Sequence, residues 1–439
     1  LLARALLPVG SARIWAGVQL DEGRDQGKPA LDSSVTRASY PLEDSARFTV
    51  GADLGGGLGF TAFEIRAFYG TYHLITDRVR RPTSAVTRRI SESDIDAKDA
   101  SLRLTALRPL GNGTLRVGFD GKTRFDLNAI GRFTDFDSAG RQTGILTEVS
   151  VDNARRTNLG LFAETEQVLI AGRLNASLGL RGDSVKTRNN GGFFGDRETS
   201  NGAFSGFLAL TVFPATRWSV TAQYSRGFRD PLLSDRYFRG VSGRGFVIGN
   251  PDISPERSNQ WDLAVRTSVG PVNLAAYGYL YRIVNLIERY QQGTNFYFRN
   301  RGEEEIYGAE LEGDVSLHGG FTLRLGVSTC RGRILDDGSF AADIPPETAT
   351  LSIDHRVNHR IWWSLSALLV ARDEAPGPTE KVSPGWGTVD LSAGYRFPFG
   401  VDFRVIARNL FDKKYPQSSD AVAVNAPGRG VSVVLGGSF

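Results

Sequence analysis

Apolar and polar residues alternate with a period of two along most of this chain. Trp218, Val220, Ala222 and Tyr224 alternate with Ser219, Thr221, Gln223 and Ser225. Phe321, Leu323, Leu325 and Val327 alternate with Thr322, Arg324, Gly326 and Ser328. Val389, Leu391, Ala393, Tyr395 and Phe397 alternate with Thr388, Asp390, Ser392, Gly394 and Arg396. Successive side chains of a strand point to opposite faces, so each segment has one apolar and one polar face. No segment holds a helical period beyond two turns. The pattern predicts an all-β chain of about 18 strands, with ends uncertain by ~2–4 residues. They fall near 11–20, 45–53, 60–76, 100–108, 113–125, 156–167, 173–186, 203–213, 217–229, 259–268, 272–289, 297–317, 320–335, 348–357, 361–373, 387–397, 401–412 and 429–439.

The connections alternate between short and long. Pro8-Val9-Gly10, Pro109 to Gly113, Ile170-Ala171-Gly172, Gly270-Pro271, His318-Gly319-Gly320 and Pro398-Phe399-Gly400 are tight turns. Between such turns lie polar excursions at 21–44, 77–99, 126–155, 187–202, 230–258, 290–296, 336–347, 374–386 and 413–428. A soluble sandwich has no reason to keep its long loops at one end. A transmembrane antiparallel meander barrel does, with short periplasmic turns, long extracellular loops and strands that are apolar towards lipid and polar towards the lumen. A final strand running inward places 413–428 outside, and every other long loop then falls outside as well.

Composition narrows the chemistry. Of 439 residues, 52 are Lys or Arg and 48 are Asp or Glu, a difference of +4, and 41% are hydrophobic. Near-balanced, interspersed charge argues against a nucleic-acid stripe, which needs basic residues concentrated on one face. One Cys excludes a disulfide framework and a Cys-based zinc site. Of four His, His318 and His359 fall in periplasmic turns and His355 near one; only His73 lies towards the outside. No catalytic residue, metal ligand or cofactor is expected: there is no G-x-S-x-G, and Cys330 on the lumen face stands alone. No apolar run approaches the ~18 residues of a membrane helix. The 51 Gly, well above a typical ~7%, suit tight turns and a smooth lumen wall. The chain begins Leu1-Leu2-Ala3, which is read as a piece of a longer precursor.

Four motifs then resemble those of TonB-dependent outer-membrane receptors. Gly227-Phe228-Arg229-Asp230-Pro231 resembles a strand-end box that usually has Ala where this chain has Asp230. Gly249-Asn250-Pro251-Asp252-Ile253-Ser254-Pro255-Glu256 resembles the box that re-enters the barrel. Asn300-Arg301-Gly302 with Gly308-Ala309-Glu310 looks like a family strand. Asn409-Leu410-Phe411, with Pro427-Gly428-Arg429 and Phe439, is similar to the closing signature. The four stand in family order over 227–439. The resemblance implies one barrel domain over 1–439, the larger part of a barrel of ~22 strands with a plugged lumen, Leu1 to Leu7 being the end of a further strand. It also implies a plug and a TonB box before Leu1.

The implied activity is TonB-dependent uptake of a scarce large solute. A ferric siderophore leads, with cobalamin or a passive porin-type channel as alternatives. The implied partners are outer-membrane lipid, the TonB energy-coupling complex, a metal-chelate ligand and, through Phe439, the barrel assembly machinery. Candidate ligand contacts are Tyr237, Phe238, Arg239 and Arg244 in loop 230–258, and Tyr290, Phe296, Tyr297 and Arg299 around 290–296. Aromatic faces and Arg suit a planar or anionic chelate through stacking and cation–π contact. The motif residues Phe228, Arg229, Pro231, Asn250, Pro251, Pro255, Glu256, Gly308, Glu310, Asn409, Leu410 and Phe411 are expected to build loops and rim. Glu256 is expected to take Arg or backbone donors.

Overall fold

The computed structural model describes residues 1–28, 35–81, 83–84, 86–243, 245–416, 418–420 and 423–437. The described residues form 21 strands in one sheet. The first seven are β1 (Leu2–Val9), β2 (Ala12–Lys28), β3 (Val35–Gly57), β4 (Phe60–Arg80), β5 (Arg88–Leu110), β6 (Gly113–Phe136) and β7 (Gln142–Ile170). Next come β8 (Leu174–Asn190), β9 (Asp196–Ala215) and β10 (Trp218–Arg229), a short helix α1 (Leu233–Tyr237), then β11 (Arg239–Ser242) and β12 (Gly245–Ile248). The rest are β13 (Glu256–Val269), β14 (Val272–Gln292), β15 (Asn295–Ser316), β16 (Phe321–Ile334), β17 (Thr348–Arg356), β18 (Ile361–Val370), β19 (Trp386–Arg396), β20 (Val401–Arg408) and β21 (Gly430–Gly437).

β11 and β12 form a hairpin inside a loop. The other strands make the wall, each antiparallel to its neighbour in sequence, with β10 pairing directly to β13. All eighteen expected strands are present, and residues 2–9 supply another. The tight turns work as expected. Gly10, Gly59, Gly111, Gly172, Gly270 and Gly400 hold positive φ, a conformation that side-chain-bearing residues resist.

The alternation resolves into two environments. Leu161 is 67% exposed, Leu263 51% and Leu369 57%, all on one face of their strands. On the opposite face the polar residues pair. Arg103 Nε donates to Asp120 at 2.5 Å, Arg181 Nη1 donates to the same carboxylate at 2.6 Å, and Arg181 Nε donates to Asp183 at 2.7 Å. Polar-in and apolar-out is the order a lipid-embedded barrel requires. Aromatic residues mark the edges of the band. His355 stacks on Phe321 at 3.8 Å beside Trp363 at the turn end, and Tyr224 meets Trp261 at 5.5 Å. Such rings concentrate where membrane meets water.

The structure corrects the loop lengths. The excursions expected at 77–99, 126–155 and 187–202 are mostly strand. β4 runs to Arg80 before β5 begins at Arg88, β7 reaches 29 residues, and β8 continues to Asn190. Likewise 290–296 is no excursion: β14 and β15 meet across Gly293 and Thr294. A spanning strand needs only ~9–11 residues. Above the band both faces meet polar surroundings, so side chains such as Lys186-Thr187-Arg188-Asn189 lose the alternation while the backbone ladder continues.

Candidate ligand site at the barrel mouth

Loop 230–258 folds inward across the mouth, and its residues explain why. Pro231 has no N–H to extend the ladder beyond β10. Asp230, where the family usually has Ala, is buried and accepts from Asn201 Nδ2 at 2.6 Å and Arg156 Nε at 3.4 Å, with the Arg236 guanidinium at 4.0 Å. Asp235 accepts the Leu232 N–H at 3.0 Å and Arg229 Nη2 at 2.9 Å, which starts α1. Ser150 Oγ and Ser93 Oγ accept the N–H groups of Arg239 and Val241 at 2.6 and 2.9 Å, fixing β11 to the wall at β7 and β5. β12 pairs in parallel with β15, Val247 opposite Phe296. One hairpin therefore links wall strands ten apart in the chain, which requires the sheet to curve round it.

The return path uses the other motif residues. Asn250 Nδ2 donates to Phe298 O at 3.1 Å. Asn300 accepts the Ser254 N–H at 2.7 Å and donates to Ser254 O at 2.9 Å. Glu256 accepts the Ile287 N–H at 2.8 Å and Arg229 at 3.5 Å, the donors expected of it. At the far end Asn409, at φ +50°, accepts the Lys413 N–H at 2.8 Å and donates to its carbonyl at 2.9 Å. Any side chain at Gly308 would strike the Tyr279 ring and the Thr329 carbonyl. Glu310 faces Tyr277 across the ladder, Leu410 N–H bonds Val389 O at 2.8 Å, and Phe411 is exposed.

The expected contact residues divide. Tyr237 is fully buried against Leu233, Ala129, Val151 and Ala154, so it packs the loop base rather than facing a ligand; an aromatic beside an inward-turned helix is core. Phe238 borders the mouth cavity described below. Arg239 is held by Glu148 and lies 4.4 Å from the Phe193 ring and 5.2 Å from Phe246. At the β14–β15 tip, Tyr290 and Tyr297 lie 5.8 Å apart, Arg299 covers Tyr290 at 4.5 Å and pairs with Glu288 at 2.7 Å, and Phe296 sits under Arg289 at 5.2 Å. Arg244 and Phe439 lie outside the described residues. Of the arginines expected to bind an anion, Arg239 and Arg299 are thus already paired with carboxylates.

A cavity of about 760 Å³ lies between the hairpin, the β14–β15 arm and loop 335–347. Phe298, Arg301 and Glu304 face it, and sequence reasoning singled out none of them as ligand contacts. The available signal was the run Glu303-Glu304-Glu305: alternation turns the middle acid away from its neighbours. Glu305 pairs with Arg282 on the outer face at 3.0 Å, which marks this level as above the apolar band. Arg301 is shared between Glu288 and Asp337. Burial pushes the Glu304 carboxyl up to about 7, helped by Glu256 and Glu288 and opposed by Arg301. In loop 335–347, the Ser339 hydroxyl, its N–H and Arg301 hold Asp337 well below the ordinary carboxylate range.

A second cavity of about 1180 Å³ follows the lumen wall, bordered by the Arg103, Asp120, Arg181 and Asp183 pairs. Among the described residues, one group of metal-ligand type stands apart from both. His73 Nε2 lies 2.9 Å from Asp94 Oδ1 and 4.0 Å from Asp96 Oδ1, and one ligand atom from each falls within 4.8 Å of the others. By strand parity it shares the outer face with Phe63 and Tyr69, above the apolar band.

The sequence profile described as TonB dependent receptor-like, beta-barrel, matches residues 9–410. Among solved structures, the copper transporter OprC is similar with a TM-score of 0.78 at 18% identity, over 98% of this chain and 72% of that one. The ferric yersiniabactin uptake receptor FyuA from Yersinia pestis is similar with a TM-score of 0.71 at 15% identity, over 96% and 67%. The ferric citrate transporter FecA in its unliganded form gives 0.73 at 12% identity, over 99% and 68%. At these identities the likeness is one of fold. The profile match, the meander and the inverted polarity converge: the chain belongs to the TonB-dependent receptors, transporters of the bacterial outer membrane rather than enzymes, through their β-barrel.

Proposed function

We propose that this barrel imports a scarce metal chelate, with a ferric siderophore as the first candidate, and that the solute first lodges at the mouth beneath loop 230–258. The observation that carries this reading is the cavity of about 760 Å³ between hairpin and β14–β15 arm, a volume within the ~300–1,000 Å³ usual for small-molecule sites. Phe238 and Phe298 offer apolar area there, and Tyr290, Tyr297 and Arg299 crown the neighbouring arm. FyuA and FecA are named for ferric chelates and OprC for copper, which supports a metal-linked cargo without choosing the metal. A free-diffusion channel needs an open mouth, and the anchored hairpin argues against one; cobalamin stays an alternative of the same class. The TonB contact is assigned to a plug outside residues 1–439, and engagement of the assembly machinery to Phe439.

The test is growth and labelled-iron uptake in cells carrying the intact gene, offered a panel of ferric siderophores and cobalamin, with and without TonB. Uptake of one siderophore that disappears without TonB is expected. Uptake that persists without TonB overturns active import in favour of passive passage.

A further inference from the structure

We propose that the mouth cavity is built to receive a positively charged group, a metal ion or an organic ammonium, held by the carboxylate of Glu304. This rests on the reading that the cargo lodges at the mouth, and it names the charge that the cargo presents there.

Three observations carry it. First, Glu304 is only 6% exposed and borders the cavity, and its carboxylate has no hydrogen bond or ion pair among the described residues. A buried carboxylate without a partner is costly, and a cation in the adjacent space removes that cost. Second, the bases around it are engaged elsewhere. Arg301 serves Glu288 and Asp337, and Arg229 serves Asp235 and Glu256. Arg289 stands over Phe296. Third, among the described residues the charged side chains bordering the cavity are three arginines and five carboxylates, an excess of acidic groups. The same reasoning turns away a purely anionic chelate, for which Arg239 and Arg299 would have to leave Glu148 and Glu288.

The experiment titrates the full-length receptor in detergent at neutral pH with manganese(II) chloride and, separately, with spermidine, reading heat. Saturable one-site binding of at least one probe is expected; manganese alone assigns a metal ion and spermidine alone an ammonium group. Glu304→Gln should weaken it at least ten-fold. Glu304→Asp, which keeps the charge, should retain binding, and Glu305→Gln on the outer face should leave it unchanged. No binding of either probe, or equal binding by Glu304→Gln, overturns the proposal. TonB-dependent uptake in cells is scored independently. Intact uptake without cation binding rejects only this inference, whereas TonB-independent uptake rejects the reading it rests on.

Discussion

Asp230 and Glu304 are both buried acids, and their surroundings give them opposite behaviour. Asp230 is surrounded by donors from Asn201, Arg156 and Arg236, and ties loop 230–258 to β7 and β9. Removing one partner of a buried charge pair strands the other, at about 3–5 kcal/mol. Asp230→Ala should therefore speed amide exchange across 231–249 while the wall strands keep their protection; unchanged exchange in the loop would refute the anchoring role. Glu304 has no donor, and its folded carboxyl is raised to about 7 against about 4.3 in an unfolded chain. Between those values the folded state holds a proton that the unfolded state has released. Stability of the arm is thus greatest below about pH 4 and declines as pH rises through 7. Amide exchange over 298–304, corrected for intrinsic chemistry, should accelerate from pH 5 to pH 8, and Glu304→Gln should abolish the trend. Asp337 has the contrary sign: its depressed carboxyl supports the loop at neutral pH and loses that support only in strong acid.

The β11–β12 hairpin covers the mouth through few bonds, which makes it testable as a unit. Two hydroxyls, Ser93 and Ser150, receive its N–H groups on one side, and three residue pairs join it to β15 on the other. An unsatisfied buried donor costs ~1–3 kcal/mol. Ser93→Ala with Ser150→Ala should loosen the hairpin from the wall without unfolding it. The expected outcome is weaker cargo retention and faster proteolytic cutting near 238–248, with barrel migration on unheated gels unchanged. Equal protease resistance would show that other contacts hold the hairpin. Elements of this kind were hard to read from the sequence. Residues 230–258 present Gly, Pro and Arg without period, and the feature that turns them inward is one carboxylate meeting partners far away in the chain.

The whole molecule is organised by its solvent. The exposed apolar face is unstable in water and stable in lipid, and the lumen gathers the charge that lipid rejects. Leu263, mid-strand on the outer face, gives a direct check. Leu263→Arg should cost roughly 2–4 kcal/mol near the bilayer midplane, read by denaturant unfolding in vesicles. No loss of stability would place that face away from lipid. The ion pairs of Arg103, Arg181 and their aspartates line the opposite face, so their removal should alter lumen properties more than membrane insertion.

The sequence by itself determined the strand class, the number of wall strands, their up-and-down order and which face meets lipid. The strands follow from a local rule, the two-residue period, with Gly and Pro at turns; the face that meets lipid follows from the long connections all falling at one end. It also showed the motif residues through their resemblance to a family pattern: Asn409 bonds Lys413 in its own segment, whereas Asn250 and Glu256 reach Phe298 and Ile287 on other strands. It did not show where strands end above the membrane, since backbone pairing continues after side-chain alternation stops. It did not show that Tyr237 is buried, that Arg239 and Arg299 are already paired, or that Glu304 stands alone. Those facts depend on which distant strands the curved sheet brings round one cavity. Only the tertiary structure decides that, because charge pairing and burial are set by neighbours in space, most of them far away along the chain.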